Sequence, residues 1–197
     1  TAQNTYSADR LVICTGAWAS ELLHKLDVQL TVTRQVLGWF WPKDAQSFEL
    51  GNFPVWAIDP GRADEFVGVY YGFPMMPANP GLKAALHFPA DPTDPDQVDR
   101  TVSERDIEPV GNAIRKYLPA GDGPMMSARV CLYTNSADGH FVIDKHPDND
   151  NIVLACGFSG HGFKFVSVMG QVLADLAQTG STDLPIDFLA LNRFANA

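Results

Sequence analysis

The sequence predicts a mixed α/β (α+β) chain, and three observations predict it. Near each end, at residues 10–26 and 151–178, a short apolar run leads through a glycine turn into a helical pattern. Between them, residues 29–88 carry four runs rich in β-branched and aromatic residues, punctuated by Pro and Gly, with no long helix intervening. One long amphipathic pattern at 96–118 then separates this region from a second group of strands. The resulting expectation is an antiparallel-sheet lobe at 29–129 and a second lobe made from both ends of the chain, 1–28 and 130–197.

Taken in order, residues 10–14 (RLVIC) read as a buried strand that ends in the turn Thr15-Gly16. Residues 17–26 read as a helix with Trp18, Leu22, Leu23 and Leu26 on one face. Strands are expected at 32–41, 54–58, 66–73 and 83–88. The segment 91–95 (DPTDP) is a turn-rich link. Helix is expected over 96–118, with a break near Pro109, because Ile107, Val110, Ile114 and Leu118 keep helical spacing. A loop at 119–124 precedes strands at 128–133, 140–144 and 151–156. Residues 157–162 (GFSGHG) form a glycine loop that leads into an apolar helix at 163–178, and the tail at 184–194 packs on the body.

With 197 residues, 46% of them hydrophobic and 19% charged, the chain buries a real core. Its net charge of -9 argues against nucleic acid as a partner, because phosphate binding needs a basic surface. Three cysteines, Cys14, Cys131 and Cys156, do not form a disulfide framework, and the expected setting is reducing and cytoplasmic. No apolar run of 18 residues is present, so no membrane span is expected. The first residue is Thr rather than Met and a strand pattern begins almost at once. The chain is therefore expected to be a piece of a longer protein.

The glycine loop has a physical use. Glycines let a backbone approach a ligand, and the first turn of the following helix offers N–H groups and a dipole that favour negative charge. The spacing matches neither the dinucleotide fingerprint nor a Walker loop, so a tight turn explains it equally well. Lys164 opposes the dipole at that helix start, so helix stability does not explain it. Either it snorkels to solvent or it meets an anion. Lys83 and His87 lie four apart in a strand pattern and so face the same side. Cys131 sits in an apolar strand, where cysteines are ordinarily buried hydrophobes. His140, Asp144, His146, Cys156 and His161 are close in sequence but have no metal-ligand spacing, and no metal site is expected. Ser159 lacks the frame of a nucleophile elbow.

The segments CLYT (131–134), GHFVIDKHP (139–147) and GFSGHGFKF (157–165), with YGFP (71–74), GLK (81–83) and His87, resemble the monomeric sarcosine oxidase and N-methyltryptophan oxidase family. VICTGAW (12–18), TRQVLGWF (33–40) and Asn192-Arg193-Phe194 add to the resemblance, which spans nearly the whole chain but only the second half of a family member. The resemblance implies the substrate domain of a D-amino-acid-oxidase-like flavoprotein plus the C-terminal part of its FAD-binding domain. It implies hydride transfer from an N-methyl or cyclic secondary amino acid to FAD and reoxidation by O2, giving H2O2. By the same resemblance Cys131 carries the flavin as a thioether, and Lys83 promotes reaction with oxygen. His87, Tyr71 and Tyr133 border the substrate, and Lys164 holds its carboxylate. Gly157, Phe158, Ser159, Gly160, His161 and Gly162 lie along the flavin. The 197-residue piece is expected to be inactive and to hold no FAD without the N-terminal half of the protein. A non-catalytic binding module of the same fold, or a noncovalent relative such as a D-amino acid or glycine oxidase, is the alternative.

Overall fold

The computed structural model describes residues 3–26, 28–61 and 66–194. The chain is mixed α/β and divides into two compact units, Thr1–Val32 with Tyr133–Ala197, and Thr33–Leu132. The strands are β1 (Leu11–Ile13), β2 (Leu30–Phe40), β3 (Trp56–Ile58), β4 (Tyr70–Phe73), β5 (Leu82–Leu86), β6 (Met125–Ser136), β7 (Val142–His146) and β8 (Asn149–Cys156). The helices are α1 (Ala19–Leu22), α2 (Glu104–Tyr117) and α3 (Val166–Thr179). Two sheets form, one in the order β1-β8-β7 and one in the order β3-β4-β5-β2-β6.

In the three-stranded sheet β1 runs parallel to β8, with Leu11 opposite Ile152, and β7 runs antiparallel to it. Alternation along β8 sorts its side chains to two faces. Val153 and Ala155 pack with Phe141, Ile143, Val172 and Leu176, which places α3 on that face. Leu154 and Cys156 pack with Ala19, Leu23 and Val142 on the other. A strand covered on both sides explains the unbroken apolar run IVLAC at 152–156. The tail follows the expectation: Leu189 is buried in the first cluster, and Leu191 and Phe194 pack against the second.

Two helical expectations shift. Residues 17–26 hold a 3₁₀ turn at Gly16–Trp18 and a single α turn, because Gly16 enters with φ +56 and the apolar residues do not share one face. Ala19 and Leu23 are buried, whereas Trp18 is 42% and Leu22 57% exposed. The helix expected from residue 96 starts at Glu104. Upstream, Asp94 accepts from the Asp96 N–H at 2.9 Å and Asp99 from the Thr101 N–H at 2.8 Å, so short acidic side chains hold local turns in place of helix. A capping box at Ser103 and Asp106 then begins α2. Pro109 does not end it, since Val110, Ala113 and Ile114 bury immediately beyond. Residues 163–165 form a 3₁₀ turn before α3, which ends at Gly180 in the left-handed conformation.

In the five-stranded sheet β2, β4 and β3 are antiparallel to their partners, with Trp39 opposite Lys83, Phe73 opposite Lys83, and Ala57 opposite Tyr71. One face, carrying Phe40 and Ala84, packs on Val110 and Ile114 of α2. β6 is longer than expected at both ends, because strand pairing recruits Met125 and Met126, which carry little strand signal of their own.

Candidate functional site

The sheet in the unit Thr33–Leu132 has one face occupied by α2, and most of the sequence candidates of this unit lie on the other. Direct cross-strand partners point to the same side, which puts Leu37 and Trp39 of β2, Lys83 and Ala85 of β5, and Tyr71 and Phe73 of β4 together there. His87 continues the alternation just past β5, its N–H bonded to the Val69 carbonyl at 2.7 Å. Its ring meets the Tyr71 ring edge-on, with centroids 6.0 Å apart. The Lys83 ammonium lies 4.8 Å from the Phe73 ring centroid and 5.8 Å from that of Tyr71.

Burial lowers the Lys83 pKa from its ordinary value, partly offset by attraction to Cys131. The Cys131 thiol is pushed up by burial, with Lys83 acting in the opposite direction. The two side chains are thus electrostatic neighbours, and Cys131 is a free, half-buried thiol. Cys156, by contrast, is buried in the core and pushed up to about 12 by that burial. Among the sequence candidates, Tyr71, Lys83, His87 and Cys131 all belong to this unit.

Tyr133, the loop at 157–162 and Lys164 belong to the other unit. The loop is tied to the end of β6: the Ser159 N–H bonds the Thr134 carbonyl at 2.9 Å, and Asn135 pairs with Phe158 in an isolated bridge. Ser159 has φ 46, an unusual conformation for a residue with a side chain. Its hydroxyl donates to the Gly157 carbonyl at 3.1 Å and accepts from the Ser136 N–H at 3.3 Å, which holds that backbone in place. Gly160, at φ +73, lies flat against the buried Tyr133 ring, where a Cβ would come within 2.3 Å of a ring carbon. Glycine is therefore required there by both conformation and space.

His161 Nδ1 lies 3.0 Å from the Ser159 carbonyl, so it carries the proton and donates. Lys164 is exposed, donates to the His161 carbonyl at 2.9 Å, and sits 5.1 Å from the Phe165 ring centroid. Beside it an apolar cavity of about 380 Å³ is lined by His161, Phe165, Val168, Met169, Phe188 and Leu189. Sequence reasoning did not single out Phe73 and Trp39 as the direct neighbours of Lys83. That signal resides in the register of three strands, which one-dimensional spacing does not carry. No group of three or more His, Cys, Asp or Glu side chains suited to a metal ion occurs among the described residues. No helix among them is long and apolar enough to cross a membrane.

Residues 1–176 match the family model described as FAD dependent oxidoreductase, and the chain belongs to that family. It is 40% identical over 200 residues to the monomeric sarcosine oxidase of Streptomyces avermitilis, covering 100% of this chain and 51% of that protein. It is 34% identical over 202 residues to the N-methyl-L-tryptophan oxidase of Escherichia coli, covering 98% of this chain and 50% of that protein. The chain thus spans about half the length of these curated relatives. The structure is similar to the open form of NikD, an unusual amino acid oxidase essential for nikkomycin biosynthesis, with a TM-score of 0.75, 25% identity, and 95% of this chain and 49% of that one covered.

The residues present suit FAD. A free, partly accessible thiol beside a cation is a donor for covalent attachment, and a strained glycine loop at a helix start offers backbone N–H groups to an electron-rich edge.

Proposed function

We propose that the chain is the C-terminal part of an FAD-dependent oxidase of secondary amino acids, N-methyl or cyclic, with the flavin joined to Cys131. The observation that carries this reading is a half-buried lysine, Lys83, on the sheet face that α2 leaves open, within electrostatic reach of a half-buried free thiol, Cys131, in the same unit. When bound, FAD would supply the two-electron acceptor for this oxidation: the amine would lose a hydride from its C–H bond and a proton from nitrogen to become an imine, and the two electrons with two protons would pass on to O2 as H2O2.

The chain's own residues orient and polarise. Lys164 holds the substrate carboxylate, a strong charge-assisted contact that fixes which C–H bond is presented. Tyr71 and Tyr133 wall the substrate, and His87, set against Tyr71, hydrogen-bonds to it. Lys83 keeps a positive charge where negative charge builds on oxygen as it is reduced. The loop from Gly157 to Gly162, with Phe158, Ser159, Gly160 and His161, lies along the flavin through its backbone. The 197-residue piece by itself is expected to hold no FAD and to be inactive.

The test uses the full-length protein. Incubation with sarcosine, N-methyltryptophan or proline should yield H2O2, and mass spectrometry should find the Cys131 peptide heavier by one FAD. Peroxide without the adduct makes the protein a noncovalent oxidase and removes Cys131 from its role. Neither peroxide nor adduct leaves a binding module of the same fold.

A further inference from the structure

We propose that Phe73 is the positioning residue of Lys83, its ring face, with that of Tyr71, standing in for a counter-ion and holding the ammonium on the open face of the sheet. Lys83 is half-buried, and among the described residues no carboxylate lies within ion-pair distance of it. A buried ammonium ordinarily has a partner, since desolvation without compensation costs the charged form. The groups in the partner's place are aromatic. The Phe73 centroid is 4.8 Å and the Tyr71 centroid 5.8 Å from the Lys83 nitrogen, both within cation–π range.

Strand register makes the arrangement obligatory. Phe73 on β4 and Trp39 on β2 are both direct partners of Lys83, so the three side chains form one row across three strands. Lys83 stands between the two aromatic residues in register, and its ammonium lies over the Phe73 ring. The titratable groups around it are Cys131 from β6, Tyr71 from β4 and His87 beyond β5, none of them a carboxylate. None of them supplies a compensating negative charge.

The consequence is chemical. A carboxylate would hold Lys83 equally well but would neutralise its field. A ring face holds the cation while leaving its charge available to an anion that forms beside it. This functional consequence rests on the oxidase reading, whereas the positioning of Lys83 does not.

The test replaces Phe73, in the full-length protein, with phenylalanines carrying one, two and three ring fluorines. These are near-isosteric and progressively remove negative charge from the ring face. The ionisation of Lys83 is read by NMR of ¹³C-methylated lysines, with its resonance identified by its loss in Lys83→Arg. The Lys83 pKa should fall stepwise, by about half a pH unit at three fluorines. A pKa constant across the series overturns the proposal, because Phe73 would then be a spacer. The rate at which O2 is consumed should fall in the same order. A protein that makes no peroxide but shows the stepwise fall keeps the positioning role and removes the oxidase reading.

Discussion

Replacing Gly160 with Ala should detach the glycine loop from Tyr133, and the cost follows from two structural features. Gly160 has φ +73, where a residue with a Cβ is destabilised by about 1–2 kcal/mol. The added Cβ would lie 2.3, 2.5 and 2.6 Å from three Tyr133 ring atoms. Carbon atoms in contact sit about 3.5–4.0 Å apart, so the ring must move by more than about 1 Å. Tyr133 is only 9% exposed, so its ring has little room to swing away, and moving it forfeits burial worth about 1.5–3 kcal/mol. Gly160→Ala should therefore destabilise by about 3–5 kcal/mol. A double-mutant cycle with Tyr133→Ala separates the parts. With the ring removed only the backbone strain remains, so the double variant should be more stable than the sum of the single effects predicts, by about 2 kcal/mol. Urea unfolding followed by circular dichroism measures all four proteins. Strict additivity would refute the claim that this glycine exists to admit the tyrosine ring.

Three further outcomes follow from the electrostatics. The Arg34 guanidinium, 2.6 Å from Asp106, is the main cause that holds the Asp106 carboxyl at about 2, with the Ser103 cap bonds adding to it. Asp106→Asn should cost about 1–2 kcal/mol at neutral pH after solvent screening. Because the folded pKa is depressed, that contribution is present in full above the unfolded value near 3.8 and is lost as pH falls through about 2. Wild-type and variant unfolding curves should therefore converge in acid, and a difference that persists unchanged at pH 3 would count against the pairing. In the flavin-free chain, alkylation should proceed fastest at exposed Cys14, more slowly at Cys131 and slowest at buried Cys156. Lys83→Met should slow Cys131 further, since the ammonium is what lowers the thiol pKa; an unchanged rate by timed iodoacetamide labelling contradicts that. On the proposed function, Lys164→Met in the full-length protein should raise KM for carboxylate-bearing amines by about 10–100-fold while leaving carboxylate-free analogues unaffected.

Legibility in the sequence divides along a physical line. The strand at 151–156 was legible from its apolar run IVLAC, whereas its cover on both faces appears only in the packing. The loop at 157–162 and the shared side of Lys83 and His87 were likewise readable, being local properties of backbone and period. The start of α2 was not, because helical spacing extends upstream of Ser103 and only the hydrogen bonds of Asp94 and Asp99 show that turns win there. Trp18 and Leu22 were misplaced for a related reason: apolar periodicity was taken for a buried face, but the helix is one turn long and leaves both exposed. The Phe73–Lys83–Trp39 row depends on the pairing of three strands distant in sequence, which no single segment encodes.

That row also marks how the open face of the sheet departs from an ordinary solvent-facing surface. A sheet covered by a helix on one side ordinarily alternates apolar with polar residues and turns the polar ones to water. Here the positions opposite the α2 face are Leu37, Trp39, Tyr71, Phe73 and Ala85, with Lys83 set among them. An apolar face of this kind is costly to expose and serves no purpose in solvent. On the proposed function this face is covered by a flat, partly apolar ligand, and Lys83 stands where that ligand becomes negatively charged.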